Sequence, residues 1–147
     1  MDIFDLLKQD HQQISEMLRA IERNSEDERK ELFDEMQTEL MLHSEAEETV
    51  LYSELEKHDA LRELVQEGRE EHKLFEQLLE GMSAMESGDE QWSAKLTVLS
   101  ELVSHHVQEE EKCLFDKAQD VVDDDLAAEL AERFEEEKEN LRAGVSA

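Results

Sequence analysis

The chain has 147 residues, 42 of them Asp or Glu against 15 Lys or Arg, for a formal charge of −27. That length suits one domain with a real core, and the absence of proline with only four glycines argues against a turn-rich β-sandwich or barrel. The missing basic footprint sets electrostatic repulsion against DNA, RNA or an anionic membrane as partners.

Glutamate alone fills 30 positions, and with Leu, Ala, Lys and Arg it points to an all-α chain. The opening MDIFDLLKQDH lacks the basic and apolar regions of a signal peptide. No apolar run approaches the ~20 residues of a membrane span. One cysteine, Cys113, leaves no internal disulfide framework, and a cytoplasmic protein is the expectation. The acidic excess suits either a salt-rich cytoplasm, where self-repulsion is screened, or a very soluble bundle from an ordinary cell.

Apolar residues recur every three or four positions, the helical period. The first stripe is Phe4, Leu7, His11, Ile14, Leu18 and Ile21. It stops near Asn24, where Ser25 and Glu28 predict a capping box for the next helix. The second runs Phe33, Met36, Leu40, His43, Glu47, Val50 and Leu51 to a break near His58-Asp59. A third begins at Leu61, passes Leu64, Val65, Gly68, His72, Phe75, Leu79 and Met82, and closes at Ser87-Gly88-Asp89. The fourth is Trp92, Leu96, Leu99, Val103, His106, Glu110, Cys113 and Lys117. After Asp123-Asp124-Asp125, a fifth stretch carries Leu126, Leu130, Phe134 and Leu141.

Such short connections make sequential helices antiparallel neighbours. The expected fold is an up-down-up-down four-helix bundle with an additional C-terminal helix. A single domain covers 1–147, with the bundle over about 2–118 and the amphipathic helix over about 123–142. That last helix is expected on an outer groove, on an end, or at a dimer contact.

Each of the first four stripes is interrupted by one histidine: His11, His43, His72 and His106. In the second and fourth a glutamate follows four residues later, Glu47 and Glu110. Residues so spaced lie one above the other on a helix, so both pairs point inward. Buried carboxylates beside buried imidazoles are costly unless a cation or hydrogen-bond partner compensates them.

Counting the rise of ~1.5 Å per residue from each turn brings His43, His72 and His106 to one level, with His11 within roughly 8 Å of it. A lone core histidine usually just bonds a neighbour. A seam takes about two of every seven helix positions, however, and four independent histidines would seldom all land on it. The constellation therefore reads as a metal site.

Imidazole and carboxylate suit iron, manganese, zinc or copper. Four His and two Glu exceed one tetrahedral zinc, and two carboxylates on opposite helices can bridge two ions. No His-Glu-x-x-His occurs, which excludes a zincin protease.

The order His … His-x-x-x-Glu … His … His-x-x-x-Glu resembles the hemerythrin-like, or HHE, cation-binding domain. The flanks repeat as well: His43-Ser-Glu-Ala-Glu47-Glu48-Thr-Val-Leu51-Tyr52 beside His106-Val-Gln-Glu-Glu110-Glu111-Lys-Cys-Leu114-Phe115, with Asp10-His11 and Glu71-His72 ahead of them. The resemblance covers roughly residues 3 to 118. It implies a non-haem centre of two iron ions with Glu47 and Glu110 as bridging carboxylates. His11, His43, His72 and His106 would be terminal ligands. Oxygen-carrying hemerythrins have another histidine where this chain has Glu76, and their last carboxylate follows its histidine by five residues rather than four. Both departures count against simple oxygen carriage. They leave Glu76 as either a seventh ligand or a solvated residue.

The function so implied is binding or sensing of a small diatomic or peroxide ligand. The alternatives are iron buffering or donation for repair, and an oxidoreductase consuming peroxide or nitric oxide. His105, turned about 100° from His106, is expected toward a groove or solvent. His58 is expected at a turn, as a surface residue or cap. Cys113 reads as inert core thiol. Tyr52 either packs near a bundle end or donates a hydrogen bond at the site.

Overall fold

The computed structural model describes residues 1–144, and those residues are helical with no strand among them. The last three positions of the expected 1–147 unit lie outside the described residues. The described residues form five helices. Helix α1 is Ile3–Arg23. Helix α2 is Glu26–Glu47, continued by a π-helical turn, Glu48–Tyr52, and a last α-turn, Ser53–Leu55. Helix α3 is Asp59–Ser83. Helix α4 is Glu90–Glu109, continued by a π-helical turn, Glu110–Leu114, and Phe115–Ala118. Helix α5 is Asp124–Arg142. The expected bundle is present: α1 packs on α2 and α4, α3 packs on α4 and α2, and α5 is added outside.

Side-chain caps start three of the helices. Asp2 and Asp5 form a capping box on α1, each carboxylate accepting the other's backbone N–H at 3.0 and 3.2 Å. Asp89 accepts from Gln91 at 2.9 Å to cap α4, and Asp123 from Leu126 at 2.8 Å to cap α5. The capping box expected at Ser25 does not form. Ser25 holds the cap position in extended backbone, but its hydroxyl makes no cap bond. Three acidic residues, Glu26, Asp27 and Glu28, complement the exposed N–H groups of that first turn. His58 likewise occupies the cap position of α3 without a side-chain bond.

Two apolar clusters sandwich the histidine layer. One is built around Ile3, Leu7, Leu51, Leu55, Phe115 and Phe134, the other around Ile21, Phe33, Met36, Phe75, Trp92 and Leu99. Each such side chain removed from water contributes about 1.5–3 kcal/mol, so the polar layer sits between two blocks that hold its four walls in place. Helix α5 takes the outer groove. It buries Ala127, Leu130, Ala131 and Phe134 against α1, α2 and the first π-turn. Lys138–Asp10 at 2.9 Å and Arg142–Glu39 at 2.7 Å pin its far end.

The π-turns correct one part of the sequence reading. A straight α-helix leaving Glu110 would drift to Cys113 and Lys117 on its inner stripe. The widened turn keeps the stripe at every fourth residue, so Leu114 and Ala118 are buried while Cys113 and Lys117 are exposed. Cys113 is therefore surface thiol, not core.

Candidate metal centre

Helices α1 to α4 each contribute one histidine to a single layer, and His11, His43, His72 and His106 are all 5% exposed or less. Glu47 at 0% and Glu110 at 3% lie among them. The six residues form two overlapping groups. His11 and His43 share Glu47 and Glu110, and His72 and His106 share the same two carboxylates. Within each group the four candidate donor atoms lie inside 4.8 Å of one another. His11 Nε2 is 3.1 Å from Glu110 Oε1, His72 Nε2 is 3.2 Å from Glu47 Oε1, and His106 Nε2 is 3.3 Å from Glu110 Oε2.

The outer nitrogens are all anchored. His11 Nδ1 meets Glu111 at 2.6 Å, His43 meets Asp10 at 2.9 Å, His72 meets Glu48 at 2.7 Å, and His106 meets Glu71 at 2.6 Å. A carboxylate accepting Nδ1–H fixes the ring and turns the Nε2 lone pair inward, as metal-ligating histidines require. All four Nε2 atoms, both oxygens of Glu47 and Oε1 of Glu110 are buried with no hydrogen-bond partner. Native proteins rarely leave so many acceptors unmet in one place. A set of seven buried nitrogen and oxygen atoms facing one another fits cations.

Electrostatics agree. Burial alone would lower His11 and His106, but the negative charge of Glu110, 3.1 and 3.3 Å from their Nε2 atoms, outweighs it and pushes them up to about 9 and about 10. Burial holds His43 down at about 4. Glu47 is pushed up by burial and by Glu110 facing it. Glu110 is raised by burial but drawn well down by His106 and His11. Without cations, protons occupy the positive-charge positions of this layer.

The two halves repeat. Asp10-His11 and His43…Glu47-Glu48 in α1–α2 correspond to Glu71-His72 and His106…Glu110-Glu111 in α3–α4. Each half carries its π-turn at or just after the glutamate. Tyr52 stacks on His72 at 5.4 Å and 9°, and its counterpart Phe115 lies parallel to His11 at 6.2 Å and 8°. Only the tyrosine adds a polar group: its hydroxyl donates to Glu110 Oε2 at 2.5 Å. Gly68 makes this possible, since a Cβ there would lie 2.8 Å from Tyr52 Cζ and closer still to the hydroxyl.

All six residues expected at the site from the sequence converge on it. Glu76 is exposed on α3, so the solvated alternative holds for it. His105 is also exposed, 4.0 Å from Glu71 and 3.9 Å from Glu109. Sequence reasoning did not assign Asp10, Glu48, Glu71 and Glu111 their role. The side chain of Glu111 is 30% exposed and bonds His11. Their signal was adjacency: each anchor sits next to a ligand candidate and reaches the histidine of a neighbouring helix.

Residues 2–118 match the hemerythrin HHE cation binding domain as a sequence family. The chain belongs to that family. The match ends with α4, and α5 lies beyond it. A crystal structure of a hemerythrin HHE cation binding domain-containing protein from Mycobacterium kansasii superposes with a TM-score of 0.86. It has 23% identity and covers 98% of this chain and 89% of that one, so it shares the hemerythrin-like fold. A DNA nickase of Nostoc sp. is 24% identical over 143 residues, 97% of this chain, and the chain spans 40% of that protein's length. The HHE description accords with a layer of His and Glu groups that could hold metal.

Proposed function

We propose that this HHE domain holds two non-haem iron ions and binds a small molecule, oxygen, nitric oxide or peroxide, beside them. His11 and His43 would hold one ion and His72 and His106 the other, with Glu47 and Glu110 shared between them. The observation that carries this reading is the pair of four-residue groups sharing both buried carboxylates. Bound iron would supply a redox-active Lewis acid with a position for a small ligand. The four anchoring carboxylates orient the imidazoles, and Tyr52 holds Glu110 through its hydroxyl.

The space beside the imidazoles supports this ligand class. A largely enclosed cavity of about 10 Å³ lies against all four imidazoles and is walled by Ile14, Leu40, Phe75, Val103 and Val107. It has room for about one water-sized molecule and its walls exclude bulk solvent. Val103→Phe tests it. The variant should keep its iron yet lose at least tenfold in affinity for nitric oxide, read from the visible spectrum of the ferrous protein. Unchanged affinity would contradict the cavity as the binding place and favour iron handling. Nucleic acid is not proposed as a partner, because a charge of −27 repels phosphate.

A further inference from the structure

We propose that cations reach this centre through the cleft between α3 and α4, the counterpart in the second half of the groove that α5 covers in the first. The proposal rests on the metal-binding reading above. On the α1–α2 half, α5 closes the corresponding groove: Lys138 bonds Asp10, the anchor of His43, and Phe134 meets the edge of His43 at 6.1 Å. The repeat places Gly68 where the first half has Leu7, Glu71 where it has Asp10, and Cys113 where it has Val50. Leu7 is 0% and Val50 2% exposed, while Cys113 is exposed.

The open side leads to two of the donor residues. Its cleft, about 20 Å³, is lined by Gly68, Leu64 and Tyr52 and reaches His106 and Glu110. In these two residues Nε2 and Oε1 are buried without a partner. Glu67, Glu71 and Glu109 also line the cleft, and an acidic mouth concentrates cations by electrostatic steering. The space passes one water-sized species, which admits a metal ion shedding its water and stops a bulky chelate. A broader groove over His11 is a poorer way in. There Arg19 offsets one of two carboxylates, Glu16 and Glu111, whereas no Lys or Arg lines the α3–α4 cleft. The apolar cavity on the other side of the imidazoles has no charge to attract a cation. Cations and neutral ligands therefore approach by separate routes.

The test is the rate at which the metal-free chain takes up cobalt(II), followed by its visible absorption after rapid mixing without oxygen. The double variant Glu67→Lys/Glu109→Lys alters the mouth and touches none of the buried donors. It should load at least tenfold more slowly at low salt, with the gap narrowing as salt is raised and the final metal content unchanged. Asp34→Lys/Glu35→Lys makes the same charge change on α2, away from the cleft, and should load close to the wild-type rate. Mouth and distal variants loading equally fast would overturn the proposal. So would a lower final metal content in the mouth variant, which would make those carboxylates ligands rather than a route. A wild-type chain that takes up no metal would instead overturn the metal-binding reading beneath it.

Discussion

Glu47 and Glu110 are two carboxylates that face each other inside the bundle, at 0% and 3% exposure. Burying an uncompensated carboxylate costs several kcal/mol, and a second one nearby adds to it. The metal-free chain should therefore be more stable when one is neutralised. Glu47→Gln is expected to raise its unfolding free energy by about 1–3 kcal/mol in urea titration, while the same change abolishes binding of the metal pair. The histidines give a pH signature. His11 and His106 have folded values of about 9 and about 10 against an ordinary 6.5. Their contribution is complete below about 6.5 and is lost as pH climbs through 9 to 10. The melting temperature of the metal-free protein should fall over that window. Ligation needs the neutral rings, so the loaded protein should not show the fall, and loading near neutral pH should release protons into a weak buffer. Equal pH profiles for the two forms would contradict this.

At the scale of elements, the π-turns and Gly68 decide which side chains meet. Gly68→Ala should destabilise by about 1–3 kcal/mol through collision with Tyr52. Because the phenol oxygen is the nearest atom, the penalty should shrink in a Tyr52→Phe background, a coupling that a double-mutant cycle reads directly. Cys113, outside the stripe, should react with a thiol reagent in the native protein as fast as it does in the unfolded chain. Much of this was legible beforehand. Helix bounds followed from strong apolar stripes, and six site residues stood out because each is polar inside such a stripe. What could not be read was the phase slip at Glu110, since a π-turn leaves no mark in residue types and straight-helix extrapolation put Cys113 inside. The anchors Asp10, Glu48, Glu71 and Glu111 were equally hidden as single residues. They lie at the stripe's edge in a chain where acid is the commonest surface residue, and only the packing of neighbouring helices gives them a histidine.

Across the whole molecule, a twofold repeat of helix pairs builds the centre and α5 breaks the symmetry by covering one pair. Phe134 is buried among the apolar residues beneath α5 and touches His43. Phe134→Ala should cost about 3–5 kcal/mol. It should also loosen His43 more than His106, seen as lost protection of one imidazole in NMR. The charge of −27 acts at this scale too. Self-repulsion should make the melting temperature rise as salt is raised from a few millimolar toward about 0.15 M, where the Debye length falls to about 8 Å.

The layer at the centre makes one quantitative demand, because two groups of four donors share two carboxylates. Metal content of the purified chain, set beside that of His43→Ala and His72→Ala, tests it most directly. Wild type should carry close to two irons per chain, and each single variant should lose the ion that its histidine serves. A wild-type content of one ion, or an iron-free chain whose melting temperature ferrous ion leaves unchanged, would contradict the dinuclear account.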